Sequence, residues 1–198
     1  MKPYFETNHI AGPLLLIVAL AWGAMELSQF SRGLEARKGA TKIGGATSRA
    51  VFLACLTAAS VFLYLAPRIV PAAVIRPGAA AFAAGMAILV AGLMLRGWSF
   101  KTLGEYFTFT VMVSTDQPVV ANGPYRLLRH PSYTGILLGC IGAGLTSANW
   151  AGLAAMALLP LLVILWRIHI EENALVTTLG DRYRAYASQH QRLVPLIW

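Results

Sequence analysis

Thirteen consecutive residues, Gly123-Pro124-Tyr125-Arg126-Leu127-Leu128-Arg129-His130-Pro131-Ser132-Tyr133-Thr134-Gly135, place two arginines, a histidine and two tyrosines at the mouth of the longest uncharged run in the chain. Charge is costly at membrane depth and, where it occurs, marks a partner or a ligand path. Two readings are open for the cluster: a basic, aromatic interfacial anchor, or one wall of a ligand site. His130 precedes a proline and is therefore restricted to an extended or turn conformation. Pro131 suits the first turn of a helix. His130 and Tyr133 then lie near a helix amino end, where negative ligand groups are favoured. Glu171 and Glu172 follow about forty residues later, an acidic pair among cations. Glu171 also has an ordinary helical neighbour in Arg167, one turn earlier.

Other chemistries find no footing. The chain has no GxSxG, HExxH or phosphate-binding loop, and Gly139, Gly142 and Gly144 follow no strand, so helix packing explains them better than a nucleotide site. Cys55 and Cys140 lie in apolar runs without CxxC spacing, which fits buried thiols and not a disulfide framework or zinc site. His9, His169 and His190 carry no motif.

The elements that must position these residues are membrane helices. Of 198 residues, 57% are hydrophobic and 12% charged, about half the charged share of a soluble domain, and the mean hydropathy is +0.62. Uncharged runs predict spans at about 10–26, 50–67 (between Arg49 and Arg68) and 78–95, with Pro67, Pro71 and Pro77 breaking the second connection and Arg96 closing the third helix. No secretory signal is expected. Between the first two spans lies a basic loop, 31–42. The mixed segment 97–129 carries Trp98, Phe100, Tyr106, Phe107 and Phe109 among Lys101, Glu105 and Asp116, as an interfacial connection does. Ser132 to Trp166 is uncharged over 35 residues. As one helix it would reach roughly 52 Å, against a hydrocarbon core of about 30 Å, so it is expected to turn back near Thr146–Trp150. Gly180 is expected to end the last helix, followed by a short amphipathic helix and an interfacial Pro195–Trp198 ending.

The fold class expected is therefore an all-α integral membrane protein, 1–198 as a single membrane domain. It has five transmembrane helices, the last two a tight hairpin, with a connecting segment and a helical carboxy-terminal tail. Residues 1–95 form three helices and 96–198 the ligand-binding half. With alternating spans, 13 of the 16 lysines and arginines fall on one face and Lys2, Arg68 and Arg76 on the other. That bias places the amino terminus outside, and the tail and the site in the cytoplasm. The net charge of +8 is explained by orientation and implies no nucleic acid.

Gly-Pro-Tyr-Arg-x-x-Arg-His-Pro-Ser-Tyr-x-Gly at 123–135, followed by Glu171-Glu172 and Leu-Gly-Asp-Arg-Tyr-x-x-Tyr at 179–186, resembles the isoprenylcysteine carboxyl methyltransferase family, and in part the related phospholipid methyltransferases. The resemblance covers the chain from Arg96 onward. It implies a cytosolic pocket for S-adenosylmethionine lined by Tyr125, His130 and Tyr133, with Glu171 and Glu172 against the cofactor's polar groups. A lipophilic, prenylated substrate would enter from the bilayer. Arg96 matches an arginine that faces the substrate carboxylate, the other reading being a helix-end cation; Arg96 and Arg129 are the expected catalytic cations. The family's His-x-Leu-Val-x-x-Gly reads Gln117-Pro118-Val119-Val120-Ala121-Asn122-Gly123 here, so Gln117 can hydrogen-bond a cofactor but cannot titrate. A phospholipid amine or thiol acceptor, an NADPH-dependent sterol-type reductase and a non-catalytic scaffold are the competing functions.

Overall fold

The computed structural model describes residues 2–35, 41–42, 46–107, 112–113 and 117–194. Along them run α1 (Tyr4–Thr7), α2 (Ala11–Glu35), α3 (Ala46–Ile69), α4 (Gly78–Leu103), α5 (Pro131–Thr146), α6 (Trp150–Leu179) and α7 (Asp181–Ala187). A two-residue antiparallel ladder pairs β1 (Thr41–Lys42) with β2 (Met112–Val113), Thr41 opposite Val113. Among the described residues, four helices are long and apolar enough to cross a membrane: α2, α3, α4 and α6. At 16 residues, α5 is shorter; it spans about 24 Å, below the roughly 30 Å of a hydrocarbon core. The outward faces are apolar, as Ile17, Leu20, Leu53 and Leu162 show, each more than half exposed.

One end of the bundle is closed by backbone contacts. Asn149 caps α6, its side-chain oxygen accepting from the N–H groups of Ala151 and Gly152, while its amide donates to Val70 O at 3.0 Å. Ile75 N–H donates to Ala148 O at 2.7 Å, Tyr4 N–H reaches Ser147 O, and Arg68 pairs with Glu6. The α1 region, the α3–α4 connection and the α5–α6 turn therefore meet there. The polar cluster lies at the other end.

Between the ends, α4 and α5 pack backbone to backbone. A Cβ on Gly142 would lie 2.4 Å from Leu89 N and 2.6 Å from Gly85 O; one on Gly92 would lie 2.6 Å from Gly135 O. In lipid there is little hydrophobic drive between helices, so close van der Waals approach of small residues holds them. Gly142→Val is expected to lower the thermal midpoint of the detergent-solubilised protein, with an overpacking cost of about 1–3 kcal/mol. Gly23→Ala, whose Cβ meets nothing within 4 Å, is expected to leave it unchanged.

Three expected boundaries move. Arg96 does not close the third helix: α4 continues to Leu103 and ends at Gly104, whose φ is +57°. Arg96 finds its counter-charge inside the bundle and has no need of a helix end in water. The region expected as a basic loop begins as helix, α2 running to Glu35. Pro67 lies within the last turns of α3 and does not break it there. Arg37 and Lys38 of the expected loop, Phe109 and Asp116 of the connecting segment, and the Pro195–Trp198 ending lie outside the described residues.

Candidate active site

Gly123 opens a 3-10 turn over Gly123–Arg126 with φ +55°, and a Cβ there would lie 2.7 Å from Thr102 Oγ1 of α4, so both conformation and proximity require glycine. Tyr186 of α7 clamps this turn from the tail, its hydroxyl donating to Tyr125 O at 2.7 Å and to Leu128 O at 3.3 Å. The tail then runs beside the motif. Arg129 N–H donates to Gln191 O at 2.7 Å, His130 N–H to Arg192 O at 3.0 Å, and Thr134 Oγ1 to Leu193 O at 2.8 Å. Burial pushes the Tyr186 hydroxyl up to about 12 and raises those of Tyr125 and Tyr183 well above the usual phenol range. All three are donors at neutral pH and not bases.

Pro131 takes the first position of α5 behind His130, as its covalent constraint predicts. His130 is 4% exposed, with Nε2 3.2 Å from Glu172 Oε1 and Nδ1 4.0 Å from Glu171 Oε1. Glu172 joins three partners: its Oε1 is also 2.7 Å from Arg129 Nη1, and its Oε2 is 2.9 Å from Arg192 Nε. Glu171 faces elsewhere, accepting from Tyr133 OH at 2.9 Å; that hydroxyl in turn accepts from Arg167 Nε at 3.3 Å. The two adjacent glutamates thus have different tasks.

Arg96 is 4% exposed. Its Nε and Nη2 both donate to the carboxylate of Glu26 on α2, and its Nη1 donates to Ser132 Oγ at 2.7 Å. Its guanidinium also stacks 4.6 Å from the Phe100 ring. Trp22 Nε1 donates to Glu26 Oε1 at 3.0 Å, and the indole lies where a side chain on Gly139 would otherwise stand.

These groups surround a cavity of about 870 Å³. Arg96, Gln117, Tyr125, Arg129, His130, Tyr133 and Glu171 all line it, together with Glu26, Ser132, Tyr183 and Tyr186. Glu172 does not; it faces a neighbouring groove of about 590 Å³ with Arg129, Arg184 and Arg192. The large cavity continues without a break into apolar walls from Leu15 and Val18 on α2, Leu56 on α3, Leu89 on α4 and Met156 on α6. Among the described residues, two buried polar atoms at the polar end have no hydrogen-bond partner, Arg129 Nε and Tyr183 Oη. Such orphans are uncommon and mark places where a ligand is to be looked for.

The sequence reading missed Glu26. Its signal was present: it is the first acidic residue after an apolar run, and Trp22 stands one turn before it. Tyr183 and Ser132 were within quoted motifs but without a role.

A sequence model described as phospholipid methyltransferase matches residues 80–182, more than half of the chain. The chain belongs to that family. It is an integral membrane protein, and the matched region holds Arg96, Gln117, Tyr125, Arg129, His130, Tyr133, Glu171 and Glu172. The chain is also similar to the protein-S-isoprenylcysteine O-methyltransferase A of Arabidopsis thaliana, 30% identical over 115 residues that cover 57% of this chain and 58% of that protein. The corresponding enzyme of Tribolium castaneum is 31% identical over 115 residues, 57% of this chain and 41% of that one. The solved structure of the eukaryotic intramembrane Ras methyltransferase ICMT superposes with a TM-score of 0.60 at 26% identity, over 78% of this chain and 55% of that chain. The chain thus spans less than two thirds of the length of each of these relatives.

Proposed function

We propose that the chain is an S-adenosylmethionine-dependent membrane methyltransferase whose acceptor is the carboxylate of a lipophilic, isoprenylcysteine-like thioether. One observation carries the reading: a single cavity joins a polar end, built on Arg96, Glu171 and the tyrosine hydroxyls, to an apolar gallery between α2, α3, α4 and α6. A prenylated cysteine has that shape, a long hydrocarbon ending in one carboxylate. The names of the relatives point the same way.

The polar end fits S-adenosylmethionine by its donor set. The orphaned Arg129 Nε suits the cofactor's carboxylate, the orphaned Tyr183 hydroxyl a hydrogen-bonding group, and Glu171 its ammonium or hydroxyls. Tyr125, Tyr133 and Gln117 complete the wall. Bound, the cofactor supplies an electrophilic methyl group. Arg96 orients the acceptor carboxylate, which is already anionic and asks no base of the protein. The apolar walls exclude water. Glu172 belongs behind this site, holding Arg129 and His130 in place. In the same reading α5 crosses the membrane as the fourth of five spans, forming a hairpin with α6. The amino terminus is outside, and the site and tail are cytoplasmic. The meeting of all three non-site connections at the opposite end of the bundle supports this arrangement.

Isothermal titration of the detergent-solubilised chain with S-adenosylhomocysteine is expected to give saturable heat, and with NADPH none. Heat from NADPH alone would turn the reading to a reductase, and silence from both to a scaffold.

A further inference from the structure

Arg96 has a carboxylate on it already. Glu26 occupies the guanidinium's Nε–Nη2 edge, the edge that grips carboxylates bidentately, while Nη1 is bound to Ser132. The pair is unequal. The Arg96 side chain is 5% exposed and fixed by Ser132 and Phe100; that of Glu26 is 26% exposed and lines the cavity. Glu26 also belongs to the helix with the thinnest packing, since only 6% of the α2 span is buried. An acceptor carboxylate that uses Arg96 must therefore exchange with Glu26, because two carboxylates cannot share one edge.

We infer that Glu26 is a specificity-determining residue, a resident carboxylate that competes with the acceptor for Arg96 and so sets the acceptor's KM. The inference rests on the carboxyl methyltransferase reading above. The competition lowers the apparent affinity of acid acceptors by the fraction of Arg96 that Glu26 holds. It does not act on the product: a methyl ester carries no charge, makes no claim on the edge and leaves the Glu26–Arg96 pair closed. Glu26 touches no reacting atom in this scheme; it acts through Arg96.

The test uses the full chain in lipid nanodiscs, with an S-farnesylcysteine derivative as the acid and its methyl ester as the product. Glu26→Gln is expected to lower the KM for the acid about tenfold, with kcat changed less than about twofold and ester affinity unmoved. Glu26→Asp keeps the charge on a shorter arm and is expected to give a smaller shift in the same direction; it decides the matter if the glutamine variant does not fold. A KM that rises or stays the same overturns the inference, as does an equal shift for acid and ester, which is what a structural role gives. If the unsubstituted chain methylates an aminophospholipid and Glu26→Gln abolishes that activity, Glu26 serves a cation and the inference falls. A chain that binds S-adenosylhomocysteine yet methylates no acid at all defeats the proposed function itself, before any variant is made.

Discussion

Glu172→Ala is expected to lower the thermal midpoint of the purified protein by on the order of 10 °C and to abolish binding of S-adenosylhomocysteine. Glu172 is the common counter-charge of Arg129 at 2.7 Å and Arg192 at 2.9 Å, and it lies 3.2 Å from His130 Nε2. Removing the carboxylate leaves the largely buried Arg129 uncompensated, at a cost of about 3–5 kcal/mol, which for a chain of this size is several degrees per kcal/mol lost. The arrangement also explains why binding should fail with stability. Arg192 brings the tail, whose backbone carbonyls at Gln191 and Arg192 hold the N–H groups of Arg129 and His130. Losing the carboxylate loosens both the side chains and the strand of tail beside them. The check is a double-mutant cycle with Arg192→Ala. The pair is expected to be less damaged than the sum of the single variants, because both substitutions break the same Arg192–Glu172 contact. Strict additivity would mean that the two do not act through one another. Glu172→Gln, which keeps an acceptor oxygen, is expected to fall between Glu172→Ala and the unsubstituted chain.

Local signals were legible wherever one residue type has one conformational consequence. Pro131 behind His130 marked the start of α5, Gly180 the end of α6, and the polar Thr146–Trp150 patch the turn that Asn149 caps. The motif at 123–135 and the glutamates forty residues later meet in the structure, His130 Nε2 lying 3.2 Å from Glu172 Oε1. Two of the three moved boundaries share one cause: a charge in an apolar run reads as a helix end when water is the only partner considered. Arg96 and Glu26 solve each other's problem across α4 and α2, and both helices run on past them. Pairing between distant segments leaves no trace in hydropathy. The same holds for the division of labour between Glu171 and Glu172. As neighbours on a helix they point about 100° apart, one to the cavity and one to the ion cluster, and sequence alone gives them one role.

Arg96→Lys is expected to reduce kcat/KM for a carboxylate acceptor about 10²-fold while leaving S-adenosylhomocysteine affinity within about twofold. Lysine preserves the positive charge that Glu26 needs, so the variant avoids an unpaired carboxylate in α2. What it removes is the planar fork that meets two carboxylate oxygens at once. A loss of 10²-fold corresponds to about 2.7 kcal/mol of transition-state stabilisation, the size of one well-placed charged contact. The cofactor side should not notice. Arg96 lines the cavity in contact with Ser132 and Glu26, whereas the groups assigned to the cofactor are the orphaned Arg129 Nε and Tyr183 hydroxyl and the Tyr133–Glu171 pair, none of which bonds to Arg96. Titration and steady-state kinetics on the same preparation separate the two effects. Parallel loss of S-adenosylhomocysteine binding would place Arg96 at the cofactor and remove it from the acceptor. Unchanged kinetics would make the Glu26–Arg96 pair a helix brace, and the acceptor carboxylate would then fall to Arg129 or Arg167, the other arginines that line the cavity.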